Sequence, residues 1–297
     1  MFDFRLKVFQ TVAKRLNFTK AAAELYITQP AVTKHIHELE YQFKVKLFER
    51  NGSRIKLTEA GKTLLQLTDQ LFSVYRNLEF EMNHFSQKHK GKLRLGASTT
   101  VAQYVLPPVL AAFHKKFSDV QITLITNNTE QIENGLKNNE IDLGIIEGRS
   151  KNTSIKYSEF IKDEIVLVSS TKNSFAKKES IQPLELKNIP LLLREPGSGT
   201  LEVISHALKS VGIKMRDLKI EMLLASTESM KSYLPHSDCM AFLSIHSILN
   251  ELKTNDLHIV DVKGMNTERY FYFIQLHGQP AALPELFMKF ASHHNFR

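Results

Sequence analysis

The chain has 297 residues, a net charge of +8, and hydrophobic and charged fractions of 42 % and 24 %, as expected for a globular protein of two or three domains. Its apolar runs fall well short of the ~20 residues of a membrane helix, and its amino terminus lacks the apolar core of an export signal. The single cysteine, Cys239, excludes an internal disulfide bond. These features together predict a cytoplasmic protein without a membrane segment.

The positive charge is concentrated at the amino terminus. Residues 1–90 contain 15 Lys and Arg against 9 Asp and Glu, whereas residues 91–297 contain 24 against 22. This distribution favours a module that binds a polyanion, followed by a body with a different role. The alternative is a mildly basic protein whose charge has no functional meaning.

Three helices are predicted in the first 45 residues. The helical spacing of Leu6, Phe9 and Val12 indicates the first, and the alanine-rich segment KAAAEL indicates the second. A third helix is predicted to begin after Thr28, an N-cap residue, with Pro30 in the first turn, where its missing N–H is tolerated. Only a short connection separates the second helix from the third.

A β-hairpin is predicted directly after the third helix. The segment FERNGSRIKLT places Asn51 and Gly52 between the apolar residues Phe48 and Ile55, which is a hairpin signal. Basic residues surround its tip: Arg50, Arg54 and Lys56.

The third helix has one apolar face and one polar face. The apolar stripe predicted to face the core is formed by Val32, Ile36, Leu39 and Phe43. The other face presents groups able to bond base edges or phosphates: Gln29, Thr33, Lys34, His35 and His37. An ordinary solvated face is the alternative interpretation, but the basic hairpin favours the docking geometry of a winged helix-turn-helix in the DNA major groove.

The segment FTKAAAELYITQPAVTKHIHELEYQFKVKLFERNGSRIKLTEAGKTLL resembles the winged helix-turn-helix of LysR-type transcriptional regulators. The resemblance is dense over residues 2–65 and extends more weakly along the whole chain. It implies binding to double-stranded operator DNA with inverted-repeat half-sites. It also implies DNA contacts from the residues that match the family pattern, which are Gln29, Thr33, Lys34, Arg50 and Arg54, with His35 as a further candidate.

A long linker helix is predicted over residues 59–89. Its apolar residues follow 3-4 spacing and are Leu64, Leu67, Leu71, Val74, Leu78 and Phe85, with Glu81 as the one interruption. Such a seam favours a coiled coil with a partner helix, although packing on the chain's own body is the alternative. The resemblance implies a dimer or tetramer that associates through this helix.

The remainder, residues 90–297, alternates between predicted strands and helices, which favours an α/β fold with largely parallel sheets. The fold class predicted for the whole chain is therefore α/β with a helical head at residues 1–58. The resemblance implies an effector domain like a periplasmic binding protein, with lobe one at 91–162 and 268–297 and lobe two at 163–267.

Small hydroxyl residues cluster where three predicted strands meet helices. The residues are Ser98, Thr99, Thr100, Ser198, Gly199, Thr200, Ser226 and Thr227. Strand ends and helix N-termini bind small anions in α/β folds, although simple helix capping explains any one cluster. The resemblance implies an effector site in the same cleft, and REPGSGT resembles the branch of regulators tied to sulfur assimilation and carbon fixation. This chain departs from the family at His236, Ser237 and Asp238, where a glycine-rich turn is usual.

Other functions find less support in the sequence. There is no GxxxxGK[ST] phosphate loop, no Gly-x-Ser-x-Gly elbow and no His or Cys framework for a metal, so neither catalysis nor a cofactor is predicted. Cys239 is predicted to be a buried small hydrophobe. The leading prediction is a ligand-responsive transcription factor. A DNA-binding protein with a vestigial cleft, a solute-binding receptor and an α/β enzyme are the alternatives.

Overall fold

Three helices and a hairpin form the amino-terminal head. Their bounds are α1 Phe4–Arg15, α2 Phe18–Leu25, α3 Gln29–Phe43, β1 Phe48–Asn51 and β2 Arg54–Leu57. Each helix is preceded by a residue whose side chain accepts a backbone N–H of the first turn: Asp3, Asn17 and Thr28. The predicted cap at Thr28 and the predicted Pro30 in the first turn of α3 are confirmed.

The computed structural model describes residues 3–51, 54–85, 90–148, 151–173, 178–278 and 282–295, with the backbone alone at 50, 51, 54, 84 and 85. It divides into two units, Met1–Leu78 and Glu79–Arg297. Within the described residues, no helix has the length and apolar character needed to cross a membrane.

Each helix contributes one face to the core of the head. Its fully or almost fully buried members are Val8, Phe9, Val12, Ala13, Ala21, Ala22, Val32, Ile36, Leu39 and Leu47. Three of the four residues of the predicted α3 stripe are therefore buried. The prediction was wrong for Phe43, which is 46 % exposed, because α3 ends at this residue and Lys44 adopts a left-handed conformation that turns the chain away.

A long helix, α4 Glu59–Phe85, follows the hairpin. Its start is fixed by Gly61, because a Cβ at this position would lie 2.2 Å from the carbonyl oxygen of Leu47. Leu64 packs against the head core and does not belong to the exposed seam. Residues 86–89 and the side chain of Phe85, which the sequence assigned to this helix and its seam, lie outside the described residues.

One face of α4 exposes a row of large apolar side chains. Leu67, Leu71, Val74, Leu78 and Met82 are all between 46 % and 56 % exposed. Their spacing is that of the predicted seam, with Met82 continuing the row. A contiguous apolar row of this kind on a soluble protein's helix marks a surface that a partner covers.

The second unit is an α/β structure. Its elements in chain order are β3 Gly91–Ser98, α5 Leu106–Lys116, β4 Val120–Asn127, α6 Thr129–Lys137, β5 Leu143–Glu147, β6 Ile155–Ser170, β7 Ser180–Ile181, β8 Leu191–Leu193, α7 Gly199–Ser210, β9 Ile220–Leu223, α8 Thr227–Tyr233, β10 Met240–Ser244, α9 Ile245–Lys253, β11 Leu257–Ile259, β12 Asp261–Val262, β13 Glu268–Leu276 and α10 Ala282–Ser292. The predicted α/β class is confirmed.

The strands form two lobes joined by one long strand. In lobe one, β3 pairs in parallel with β4 and β5, and β13 pairs antiparallel with β5 and with the first part of β6. In lobe two, β8 pairs in parallel with β9 and β10, and β10 pairs antiparallel with the second part of β6. Because β6 runs without a break through both sheets, it connects the two lobes directly.

Both faces of each sheet are covered, which explains the nearly continuous apolar strands. In β8, Leu191 and Leu193 enter one core while Leu192 enters the core on the opposite face. In β5, Leu143 and Ile145 face one core and Ile146 faces another. The period of two residues along each strand thus distributes side chains between the helical layers.

The helix after β3 begins with a wide turn. Residues Val101–Val105 form a π-type turn in which the N–H of Leu106 bonds to the carbonyl of Val101. Pro107 and Pro108 follow and cannot donate backbone hydrogen bonds, so the regular pattern is interrupted here. The turn places Tyr104 toward lobe two, where its hydroxyl donates to Glu228.

Candidate functional site

The amino-terminal half of α3 presents the predicted polar face. Gln29 Nε2 donates to Thr33 Oγ1 at 2.8 Å, and Thr33 Oγ1 donates to the Gln29 carbonyl at 3.2 Å. Lys34 is 77 % exposed at its side chain, 4.0 Å from Glu38. The amide is thus held by its neighbour and the ammonium group extends into solvent, an arrangement suited to a base edge and a phosphate respectively.

His35 is placed differently from these residues. Its ring packs edge-on against Phe4 of α1, with 5.7 Å between ring centroids, and its side chain is 29 % exposed. Nδ1 is buried without a hydrogen-bond partner among the described residues and lies 3.7 Å from Glu38. A DNA contact from His35, which stays a prediction, would require its ring to leave Phe4.

The hairpin has the predicted antiparallel register, with Phe48 opposite Leu57 and Asn51 opposite Arg54. Gly52 and Ser53 at its tip, and the side chains of Arg50 and Arg54, lie outside the described part of the structure. The two arginines therefore remain predicted DNA contacts, on strands whose backbone positions are established.

Glu40, which the sequence analysis did not single out, joins α3 to this hairpin. Its buried carboxylate accepts the backbone N–H of Leu47 at 2.9 Å and that of Phe48 at 3.5 Å, and Lys46 Nζ lies at 2.8 Å. Burial raises the pKa of Glu40, but the Lys46 ammonium and the two N–H groups outweigh it, so the pKa is lowered overall. The bonds fix the orientation of the hairpin relative to α3.

Glu40→Gln is expected to lower the free energy of unfolding of the head by about 1.5–3 kcal/mol at neutral pH, because a charged acceptor is lost. Since the folded pKa lies below the ordinary value of 4.5, the wild-type contribution is complete above that value and disappears as pH falls through the folded pKa. Urea unfolding at about pH 7 and about pH 3.5 measures this. Glu38→Gln serves as control. If the difference in the free energy of unfolding between wild type and Glu40→Gln persists in full at acid pH, the assignment is contradicted.

In the second unit, the three hydroxyl clusters meet in the cleft between the lobes. Ser98 ends β3, Thr99 and Thr100 begin the next helix, and all three are buried. Ser198 and Thr200 lie buried at the start of α7, and Ser226 caps α8, in which Thr227 is buried.

Arg194 connects two of these clusters across the lobes. It follows β8 and is 3 % exposed; Nη2 donates to Thr99 at 3.3 Å and Nη1 to Thr227 at 3.4 Å. Glu195 binds the same guanidinium through two hydrogen bonds, at 2.9 and 3.1 Å. The guanidinium thus links the Thr99 and Thr227 hydroxyl groups across the lobes.

Arg269 connects the third cluster, at the start of α7, to the first. This arginine of β13 is 4 % exposed; Nη1 donates to Thr200 at 3.0 Å, and Nε pairs with Asp163 at 2.7 Å. Glu147, the last residue of β5, accepts a hydrogen bond from Ser98 and lies 3.9 Å from Arg269 Nη1. Ser98 and Thr200 are therefore joined through buried charges.

Sequence reasoning missed Glu147, Asp163 and Arg269, and did not single out Arg194. The one available signal was a charged residue immediately at the end of an apolar strand, as at Glu147 and Arg194. Asp163 and Arg269 carry no such signal, since they pair across β6 and β13, more than 100 positions apart.

Gly199 lies directly against lobe one. A Cβ at this position would lie 2.1 Å from the carbonyl oxygen of Glu147, the same oxygen that accepts a hydrogen bond from Thr129 at 2.7 Å. The absence of a side chain therefore allows α7 to approach β5. A role in binding an effector, predicted for Gly199, is untested; close packing of the lobes is what the geometry shows.

The segment from His236 to Asp238 forms the turn before β10. Ser237 Oγ donates to the carbonyl of Tyr233 at 3.3 Å and accepts from the N–H of Cys239 at 3.4 Å. Cys239 is 4 % exposed, as predicted, and burial raises the pKa of its thiol. These contacts place Ser237 in the turn that precedes β10.

A helix-turn-helix head with a wing, followed by a two-lobed α/β unit with a polar cleft, defines the class of ligand-responsive transcriptional regulators. Residues 4–62 match the bacterial regulatory helix-turn-helix protein of the lysR family, and residues 86–295 match the LysR substrate binding domain. The chain belongs to the LysR family of transcriptional regulators.

Two relatives and one solved structure support this. CysL of Bacillus subtilis is 28 % identical over 269 residues, covering 91 % of this chain and 89 % of the relative. A probable RuBisCO transcriptional regulator of Trichormus variabilis is 31 % identical over 273 residues, covering 91 % and 81 %. The regulatory domain of CcmR from Synechocystis, in complex with 2-PG, is 25 % identical with a TM-score of 0.62, covering 68 % of this chain and 95 % of that one. The predicted likeness to sulfur and carbon-fixation regulators is confirmed.

Proposed function

We propose that this regulator binds operator DNA in the cytoplasm through Gln29, Thr33 and Lys34, with Arg50 and Arg54 of the wing at phosphates or the minor groove. The observation that carries the proposal is the exposed N-terminal half of α3, where Thr33 orients the amide of Gln29. An amide in this position is suited to adenine, and the cationic groups to the backbone. His35 is a secondary candidate, since its ring packs on Phe4.

The exposed row on α4 supports self-association. A second copy of the same helix is the natural partner, because a regular apolar seam pairs with an equivalent seam. Two heads brought together by a two-fold axis fit an operator with inverted-repeat half-sites. We propose a dimer, or a tetramer built from dimers, with residues 1–58 as the head, 59–89 as the linker and 90–297 as the effector domain.

The cleft supports control by a small molecule with an anionic group. Besides the hydroxyls of Ser98, Thr99, Thr100, Thr200, Ser226 and Thr227, it contains two buried donors, Ser198 Oγ and Arg269 Nη2, that lack a partner among the described residues. Buried donors without partners are costly, and an effector that accepts their hydrogen bonds would offset that cost. This disfavours a vestigial cleft. The presence of 2-PG in the CcmR regulatory domain gives further support.

The effector would act by changing the closure of the lobes. The lobes touch at Gly199 and also where the Tyr104 hydroxyl donates to Glu228 of α8, with Lys231 Nζ 5.0 Å from the Tyr104 ring. A ligand that fits one degree of closure better than another shifts the population toward it. The two relatives described above are transcriptional regulators, and we assign no catalytic step to the cleft.

Gln29→Ala is expected to reduce affinity for the operator by about 1–3 kcal/mol and affinity for random DNA very little, since a base contact is lost. The operator is first obtained by selecting bound fragments from genomic DNA. Gln42→Ala removes an exposed amide from the other end of α3 and should change neither affinity. Equal losses of Gln29→Ala on both DNAs would contradict its role in sequence readout.

Arg54→Ala should weaken binding to both DNAs and lower the log–log salt slope by about 0.9.

A further inference from the structure

Among the described residues, two buried guanidinium groups, Arg194 and Arg269, lie close to three carboxylates where the lobes meet. Arg194 is bound by Glu195 through two hydrogen bonds, and Arg269 is bound by Asp163 at 2.7 Å. Asp163 also accepts from Ser244 at 2.7 Å, with the partly exposed His246 at 3.9 Å. Each arginine is thus hydrogen-bonded to one carboxylate, and the third, Glu147, is approached only by Arg269 Nη1, at 3.9 Å, among the described residues.

Glu147 is 2 % exposed. One of its oxygens accepts from the neutral hydroxyl of Ser98, and the other lies 3.9 Å from Arg269 Nη1, too far for a hydrogen bond. Within the described part of the chain, no other Lys or Arg nitrogen lies within 4.0 Å of this carboxylate. A buried carboxylate in this situation is costly unless a positive group joins it.

Directly beside Glu147, donors lack acceptors. Ser198 Oγ, at the N-cap of α7, makes no cap hydrogen bond and is among the unpartnered buried atoms, as is Arg269 Nη2. The first-turn N–H groups of α7 also favour a negative charge. Arg269 Nη1 lies 3.0 Å from Thr200 and 3.9 Å from Glu147, so the guanidinium that carries the unpartnered Nη2 lies between the start of α7 and the Glu147 carboxylate.

We propose that the effector is a small zwitterion of the amino-acid type. Its ammonium group pairs with Glu147, and its carboxylate or other anionic group accepts hydrogen bonds from Ser198 Oγ and Arg269 Nη2 at the start of α7. This proposal rests on the effector site proposed above and narrows its ligand: a simple anion would satisfy the donors but would lie against the negative charge of Glu147. Glu147 is then the residue that selects for the ammonium group.

Calorimetry on the full-length protein with matched pairs of acids tests this. The pairs are L-aspartate with L-malate, L-serine with L-glycerate, and O-phospho-L-serine with 3-phospho-L-glycerate, in which only the ammonium group is exchanged for a hydroxyl at the same configuration. In at least one pair the ammonium compound is expected to bind about 10-fold more tightly or better, since a charged pair replaces a neutral contact. Glu147→Gln should remove that preference. The exposed Glu159→Gln, with the same change of charge, should retain it.

The outcomes separate the two proposals. Binding of malate, glycerate or phosphoglycerate as tight as that of their ammonium partners would overturn the zwitterion while leaving an anion-binding effector site. Binding of no member of the panel at millimolar concentration would count against the cleft as an effector site and so overturn both. If Glu147→Gln fails to fold, as judged by circular dichroism, the wild-type comparison within each pair still decides.

Discussion

Replacing Leu71 and Leu78 together by aspartate is expected to dissociate the protein into single subunits. Both side chains are about half exposed, at 46 % and 52 %, in the middle of the apolar row on α4. In a paired helix each would become a buried, unpaired carboxylate, which costs several kcal/mol. Sedimentation velocity should show the change in mass directly.

The same variant is expected to lose about 10²–10⁴-fold in operator affinity, because a monomer gives up the second half-site that a dimer engages. Gln66→Asp, which adds a charge to an exposed polar position on the far side of α4, should leave both mass and affinity unchanged. An unaltered mass for the double variant would show that subunits associate through the α/β unit instead.

Arg269→Met is expected to destabilise the α/β unit by about 3–5 kcal/mol. The methionine fills similar space, but Asp163 and Glu147, both 2 % exposed, would be left without the guanidinium between them. Because the chain contains no tryptophan, urea unfolding is followed by circular dichroism and tyrosine fluorescence.

Two comparisons make this result specific. Arg216→Met, at a side chain that is 79 % exposed, should change the free energy of unfolding by less than about 0.5 kcal/mol. Combining Arg269→Met with Asp163→Asn should cost less than the sum of the separate changes, since the second removes the charge that the first leaves unpaired. Additive losses would show that the two side chains act independently.

Local chemistry made the head largely predictable. The cap at Thr28, the proline in the first turn and the buried stripe of Val32, Ile36 and Leu39 depend on neighbours within a few residues, and the structure confirms each. Phe43 was assigned wrongly because a helical wheel contains no information about where the helix ends. The strands of the hairpin were likewise predicted from their own residues.

In the α/β unit, the strands with strong apolar character were predicted and the weaker elements were not. The first half of β6, IKYSEFIKD, mixes charged, polar and apolar residues without a regular alternation and was not recognised as a strand. Its pairing with β13, distant in the chain, makes it one. α9 was missed because it follows β10 without an intervening loop, so no turn residues mark where the strand ends and the helix begins.

By itself, the sequence determined the class of protein: a basic head with a helix-turn-helix, an apolar seam on a long helix, and an α/β body with hydroxyl residues at three strand ends. These patterns depend on residues that are neighbours in the chain, so they can be recognised from the sequence alone. Only the tertiary structure decided which charges meet in the cleft. Arg269 joins Asp163, Thr200 and Glu147 from three separate segments, and two carboxylates meet one guanidinium only once these segments are brought together. Which buried charges lie close together depends on distances in three dimensions, and the spacing of residues along the chain does not give those distances.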